Sequence, residues 1–220
     1  MHPDYKLLIF DWDGTLANSI GRIVESMHVA SDRTGFARRD DFAVKGIIGL
    51  GLPEAIRSLY PEIADEELSV FRQHYADHYI ALEAEPSPLF DGVADTLQAL
   101  REEGYHLAVA TGKARRGLDR VLKSHGWDDY FDITRAADET ASKPHPLMLE
   151  QILAHCNVRP EQALMVGDSS FDLQMARNAG MGSVAVSYGA QTIEALRAFE
   201  PCLAIDHFPE LHAWLSQRAG

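Results

Sequence analysis

The chain has 220 residues, is 46% hydrophobic, and carries a formal net charge of -13. That length supports one sizeable core, or a core plus a small inserted unit. The acidic balance argues against a nucleic-acid partner, and no stretch is long and apolar enough to span a membrane. Cys156 and Cys202 lie far apart, with neither a zinc pattern nor a disulfide framework. The first residues, Met1-His2-Pro3-Asp4-Tyr5-Lys6, lack the basic-then-apolar layout of a signal peptide. A reducing cytoplasm is the expected compartment. The sequence carries no signal for an oligomeric state.

Leu7-Leu8-Ile9-Phe10 is a short, bulky apolar run and reads as a strand buried on both faces. It runs into Asp11-Trp12-Asp13-Gly14-Thr15, where Asp13-Gly14 signals a turn. The pattern then becomes helical, with Ile20, Ile23, Val24, Met27 and Val29 at near-helical spacing and Asn18 or Ser19 as N-cap. From Asp40 to Leu82 no convincing strand occurs. Phe42, Val44, Ile47 and Ile48 form one apolar group, and Pro53 opens a helix carrying Ala55, Ile56 and Leu59. A third helix, Glu66 to Leu82, places Leu68, Phe71, Tyr75, Tyr79 and Ile80 on one side. Glu83 to Pro88, with two prolines, reads as a linker.

Beyond Pro88, helices and strands alternate. Strands are expected at His106 to Ala110, Phe131 to Thr134, Ala163 to Val166, Ser183 to Val186 and Cys202 to Ile205. Helices are expected at Gly92 to Glu103, Ala114 to His125, Pro146 to Cys156, Phe171 to Ala179, Thr192 to Phe199 and Phe208 to Arg218. This alternation predicts a parallel sheet covered by helices, an α/β fold with a Rossmann-like core. The core takes residues 1–16 and 88–220, and an all-helical insert takes residues 17–87.

Four polar groups sit where buried strands end or loops begin. Asp11 and Asp13 crowd two like charges at the end of the first strand, and a hard divalent cation with oxygen ligands is the simplest relief. Thr111-Gly112-Lys113 offers a hydroxyl, a glycine amide and the start of a helix, which together make a phosphate cradle or an ordinary capped turn. Lys143 precedes Pro144 and is held extended, so its ammonium can be aimed at a phosphate and at the carboxylate that attacks it. Asp168 follows another buried strand and would complete a metal site, with Asp172 supporting it one helical turn on. A helix N-terminus decorated with acids is the plainer reading of that pair. Together the four make a kit for phosphoryl transfer: nucleophile, acid, cation and amide cradle.

Asp11-Trp12-Asp13-Gly14-Thr15, Thr111-Gly112, Lys143-Pro144 and Gly167-Asp168-Ser169-Ser170-Phe171-Asp172 resemble the four ordered motifs of the haloacid dehalogenase superfamily. The insert resembles the C1-type cap, and the whole chain is most similar to bacterial phosphoglycolate phosphatase-like members. The resemblance implies that Asp11 attacks phosphorus to give an aspartyl-phosphate. It implies that Asp13 protonates the leaving alcohol and then deprotonates the hydrolytic water. By the same resemblance Mg2+ is held by the Asp11 side chain, the Asp13 backbone carbonyl and Asp168, while Thr111, Gly112 and Lys143 bind the phosphoryl group. The implied partner is a small phosphorylated metabolite.

Asp13 argues against halide displacement, because an acid for an alkoxide leaving group is useless for halide. A phosphonate hydrolase would need a cap lysine, and Lys45 is the sole candidate there. A sugar-phosphate mutase would place basic residues beside the loop Gly49-Leu50-Gly51, which is instead apolar and suits a small substrate. Arg115 and Arg116 are candidates for meeting an anionic substrate tail. A pyrophosphatase of the same superfamily, or a metal-dependent binding protein without turnover, remain the alternatives.

Overall fold

The computed structural model describes residues 4–218. Met1-His2-Pro3, part of the segment read for a signal layout, lie outside the described residues. Six strands form one parallel sheet in the order β3-β2-β1-β4-β5-β6. They are β1 (Leu7–Phe10), β2 (His106–Thr111), β3 (Ile133–Ala136), β4 (Ala163–Gly167), β5 (Gly182–Val186) and β6 (Leu203–Ile205). The order follows from the chain's path. After β1 it builds outward through β2 and β3, then returns to the other side of β1 and continues through β5 and β6. The direction of winding therefore reverses between β1 and β4, the position where open α/β sheets leave a crevice at their carboxyl ends.

The two central strands are buried throughout. Successive side chains of β1 feed opposite faces, as the pleat requires. Leu8 and Phe10 join a core with α5 (Val93–Glu102), α6 (Arg115–Ser124) and α10 (Pro209–Ser216), while Leu7 and Ile9 pack against α7 (Leu147–Cys156) and α8 (Ser170–Asn178). The short helix α9 (Ile193–Arg197) packs Leu196 against Leu173 and Ala185.

Between β1 and α5 the chain is helical: α1 (Ile20–Thr34), α2 (Asp41–Lys45), α3 (Leu52–Leu59) and α4 (Asp65–Leu82). These helices bury their own cluster around Met27, Val44, Ile56 and Phe71. The two chain crossings that connect them to the sheet are bound to each other. Asn18 N–H donates to the Pro88 carbonyl at 2.8 Å, and Phe90 N–H donates to the Leu16 carbonyl at 3.0 Å.

Several local expectations are corrected. Phe42 does not join Val44, Ile47 and Ile48; it is 83% exposed. Ile80 likewise leaves the buried side of α4, where Leu68, Phe71 and Tyr79 lie. A five-residue helix such as α2 is too short for spacing to fix its inward face, and Ile80 follows Tyr79 directly, so about 100° of helical rotation separates them. The third strand begins at Ile133 rather than Phe131 because Phe131 packs as a core aromatic before the ladder starts. Among the described residues no helix is long and apolar enough to cross a membrane.

Phe71 is fully buried and packs against Phe36 and Tyr60, with ring centroids 6.1 and 5.5 Å away. Phe71→Ala is expected to cost about 3–5 kcal/mol in denaturant unfolding, the range for truncating a buried aromatic. A loss below about 1 kcal/mol would contradict this placement of α4.

Candidate active site

The sheet's reversal point carries the acids. Asp11 follows β1 directly and Asp168 follows β4 directly, and these strands are neighbours in register. Asp11 N–H continues the ladder to the Val166 carbonyl at 3.0 Å, which fixes where its side chain departs. Asp172 lies in the first turn of α8. Asp11, Asp168 and Asp172 are all buried, and one carboxylate oxygen of each lies within 4.8 Å of the others.

Lys143 reaches into this cluster and is itself fully buried. Its Nζ lies 2.8 Å from Asp11 Oδ1 and 2.7 Å from Asp172 Oδ1. The second oxygen of Asp172 accepts from Ser169 N–H at 3.1 Å and from Ser169 Oγ at 2.7 Å. Asp172, which its spacing offers as a support for Asp168, holds the lysine. Both Asp168 oxygens are also engaged. Oδ1 accepts from Thr15 Oγ1 at 3.0 Å, and Oδ2 accepts from Ala190 N–H at 2.7 Å. Asp11 differs. Its Oδ1 accepts from Trp12 N–H at 2.7 Å, whereas Oδ2 is buried with no hydrogen-bond partner.

Glycines make room for this crowding. Gly14 turns the chain with φ +83°, and a Cβ there would strike the Asp168 carboxylate. Burial raises the Asp11 pKa well above the ordinary carboxylate range; Lys143 pulls it down, and Asp172 and Asp168 push it further up. Burial, then the charge of Asp172, pushes Asp168 up to about 7. For Lys143, burial opposes the charge, but Asp11 and Asp172 outweigh it and hold the ammonium protonated. Such a cluster sheds its excess negative charge by taking up protons or a cation. Three buried carboxylates, each with an oxygen within 4.8 Å of the others, make an all-oxygen donor set that fits a hard divalent metal ion.

Asp13 stands apart from the acid cluster. Its Oδ1 accepts from Ser19 Oγ at 2.6 Å. Lys113 Nζ donates to Oδ1 and Oδ2 at 3.0 and 3.1 Å, and to Tyr79 Oη of α4 at 3.0 Å. Burial works against the Lys113 charge, but Asp13 outweighs it and raises the pKa. None of Ser19, Lys113 or Tyr79 was singled out as a site residue from sequence. Ser19 is the N-cap residue of α1 by position, yet its hydroxyl serves Asp13 and not the helix. A lysine directly after Thr-Gly at a strand end, and a tyrosine on a buried helix face, were the available signals.

Thr111 ends β2, fully buried, and its Oγ1 accepts from Lys113 N–H at 3.1 Å. A Cβ on Gly112 would fall 2.5 Å from the Gly49 and Leu50 carbonyl oxygens, so only glycine lets the helical layer approach so closely. Gly51 N–H donates to Ser142 Oγ at 2.9 Å. The loop Gly49-Leu50-Gly51 therefore lies directly over the cradle and the lysine loop. Arg115 is tied elsewhere, with Nε 2.7 Å from Glu139 Oε2 and Nη1 2.9 Å from Thr134 Oγ1, and Arg116 is exposed. Lys45 is exposed too, on the wall of a groove of about 560 Å³ with Glu25, His28 and Asp41.

The family model for haloacid dehalogenase-like hydrolases matches residues 8–186. A phosphoglycolate phosphatase of Vibrio vulnificus is 32% identical over 216 residues, covering 94% of this chain and 95% of that one. Pyrophosphatase PpaX of Halalkalibacterium halodurans is also 32% identical, over 212 residues, with 94% and 95% covered. A haloacid dehalogenase-like hydrolase of Bacteroides fragilis superposes with a TM-score of 0.87 at 29% identity, covering 94% of this chain and 99% of that one. The chain belongs to the haloacid dehalogenase-like hydrolase family.

Proposed function

We propose that this enzyme is a Mg2+-dependent phosphatase that hydrolyses a small phosphomonoester through an aspartyl-phosphate on Asp11. The observation that carries this reading is the Asp11 carboxylate itself. Lys143 holds Oδ1, while Oδ2 is buried with no hydrogen-bond partner. A carboxylate steadied on one oxygen and open on the other is poised to attack phosphorus.

In this reading Asp11 Oδ2 forms the bond to phosphorus as the bond from phosphorus to the ester oxygen breaks. Asp13 gives its proton to that departing oxygen. It then takes a proton from the water that attacks the phosphorylated Asp11, and the products are inorganic phosphate and free Asp11. Lys143 offsets charge on the nucleophile and on the phosphoryl oxygens. The Thr111 hydroxyl and the Gly112 amide orient those oxygens. A magnesium ion held by Asp11, Asp168 and the Asp13 backbone carbonyl supplies Lewis-acid stabilisation of phosphoryl charge when bound. Residues 17–87 act as a cap, with the Gly49-Leu50-Gly51 loop excluding water from the cradle.

The substrate is small and anionic. The loop over the cradle brings no basic side chain, which disfavours a sugar-phosphate mutase. Lys45 stands out on an exposed groove wall, which disfavours a cap-lysine Schiff base. Phosphoglycolate and pyrophosphate are the two substrates the relatives' names suggest. Both cysteines are free, in keeping with a reducing compartment such as the cytoplasm.

Asp11→Asn keeps the side-chain volume and removes the nucleophile, so Mg2+-dependent release of phosphate from a substrate panel is expected to vanish while the fold persists. Retained turnover would contradict the role of Asp11. Asp13→Asn is expected to slow turnover by about 10²–10⁴-fold, the usual reach of general acid-base catalysis. A rate within a few-fold of wild type would reject the assignment.

The raised Asp168 pKa also fixes a pH dependence. An unfolded aspartate ionises near 4, whereas Asp168 in the metal-free fold ionises at about 7. Between those values the folded state holds a proton the unfolded state has released, so this group's contribution to stability falls as pH rises. Mg2+ is therefore expected to raise the melting temperature of chelator-treated protein more at pH 8 than at pH 5. Equal shifts at both pH values would count against metal binding at this cluster.

A further inference from the structure

We propose that Lys113 and Tyr79 form a latch through which the helical layer sets the position of the Asp13 carboxylate. The acid-base step is then competent only with that layer down on the sheet. This rests on the phosphatase reading and assigns two positioning residues within it.

An ammonium has three N–H donors. Those of Lys113 face three acceptors: both oxygens of Asp13, at 3.0 and 3.1 Å, and the hydroxyl oxygen of Tyr79, at 3.0 Å. The Tyr79 ring also lies under the cation, 4.5 Å from Nζ to its centroid, and stacks on Tyr75. All of this is nearly dry, because the side chains of Lys113 and Asp13 are 10% and 11% exposed. Asp13 is thus gripped from the sheet by Lys113 and from the chain crossing by Ser19. Apart from Ser19 at the chain crossing, the grip reaches the helical layer through Tyr79.

The consequence is mechanical. When α4 lifts, Tyr79 leaves and water enters, so Lys113 no longer has its full set of fixed acceptors. Its flexible four-carbon stem then lets the ammonium wander, and the Asp13 carboxylate loses its bidentate anchor. Misplacing a proton donor by about 1 Å can cost about 10²-fold in rate. A second link, Arg120 Nε to Glu83 Oε2 at 2.7 Å, joins the end of α4 to α6 but touches no reacting group. It acts as adhesive, whereas Lys113 touches the acid itself.

The test separates positioning from adhesion by leaving group. An aryl phosphate departs with little help from an acid, while an alkyl phosphate needs its oxygen protonated. Tyr79→Phe keeps the ring and removes only the hydroxyl. We expect it to lower kcat/KM, which reports the step that expels the leaving group and not the shared hydrolysis of phosphorylated Asp11, about tenfold on an alkyl phosphate and less than about threefold on 4-nitrophenyl phosphate. Lys113→Met should show the same bias more strongly, and Lys113→Arg should recover part of it. In an Asp13→Asn background, Tyr79→Phe should add no further loss. Melting temperatures of each variant establish that the fold is intact. Equal losses on both substrates, or a full additional loss in the Asp13→Asn background, would overturn the latch while leaving the phosphatase reading in place. Absence of Mg2+-dependent turnover by the wild-type protein on either substrate would overturn both.

Discussion

Three buried carboxylates gather at the carboxyl ends of β1 and β4, and one buried ammonium bridges two of them. Charge in a dry interior is tolerated only when it is paired and hydrogen-bonded. The fold meets that condition unevenly. Asp168 and Asp172 are satisfied on both oxygens, while Asp11 is satisfied on one. The unsatisfied oxygen belongs to the residue that the proposed chemistry uses as nucleophile. The sheet's winding supplies the crevice, and the glycines at 14 and 112 supply the clearance. Lys143 supplies the charge that keeps the set together.

A division of labour follows. The two acids of the first motif are two residues apart but live in different settings. Asp11 faces Lys143 and the other acids, whereas Asp13 faces Lys113 and Ser19. Each acid has its own lysine, and the two lysines come from loops after different strands. On the proposed reading this separates attack on phosphorus from proton transfer to the ester oxygen. The helical layer touches the second setting through Tyr79 and covers the first through the loop at Gly49 to Gly51.

Much of this was legible in the sequence because it is local. A four-residue apolar run leading into Asp-x-Asp-Gly-Thr announces a buried strand that ends in acids, and the structure has that strand at Leu7–Phe10. Alternating strand and helix signals beyond Pro88 required the parallel sheet. Lys143 was read as an aimed cation, and it reaches Asp11. The pairings of Lys113 were not legible, because they join residues 100 and 34 positions apart in the chain. The same holds for Asp172, whose partner Lys143 lies 29 positions away. Ser19 takes the N-cap position its pattern predicts, but such a pattern tells only that a hydroxyl is near a helix start, and Asp13 offers that hydroxyl a stronger, charged acceptor. Phe42 and Ile80 show the other limit, since a short helix or a single neighbour leaves the buried direction open.

The central claim is that Asp11 becomes covalently phosphorylated, and it can be tested chemically at that residue. Borohydride reduces an acyl phosphate on aspartate to homoserine, and peptide mass spectrometry locates the change. Enzyme quenched during turnover with Mg2+ and a phosphomonoester should carry that mark at Asp11 and not at Asp13, Asp168 or Asp172. A mark on another acid, or none at any of them while turnover proceeds, would contradict the account.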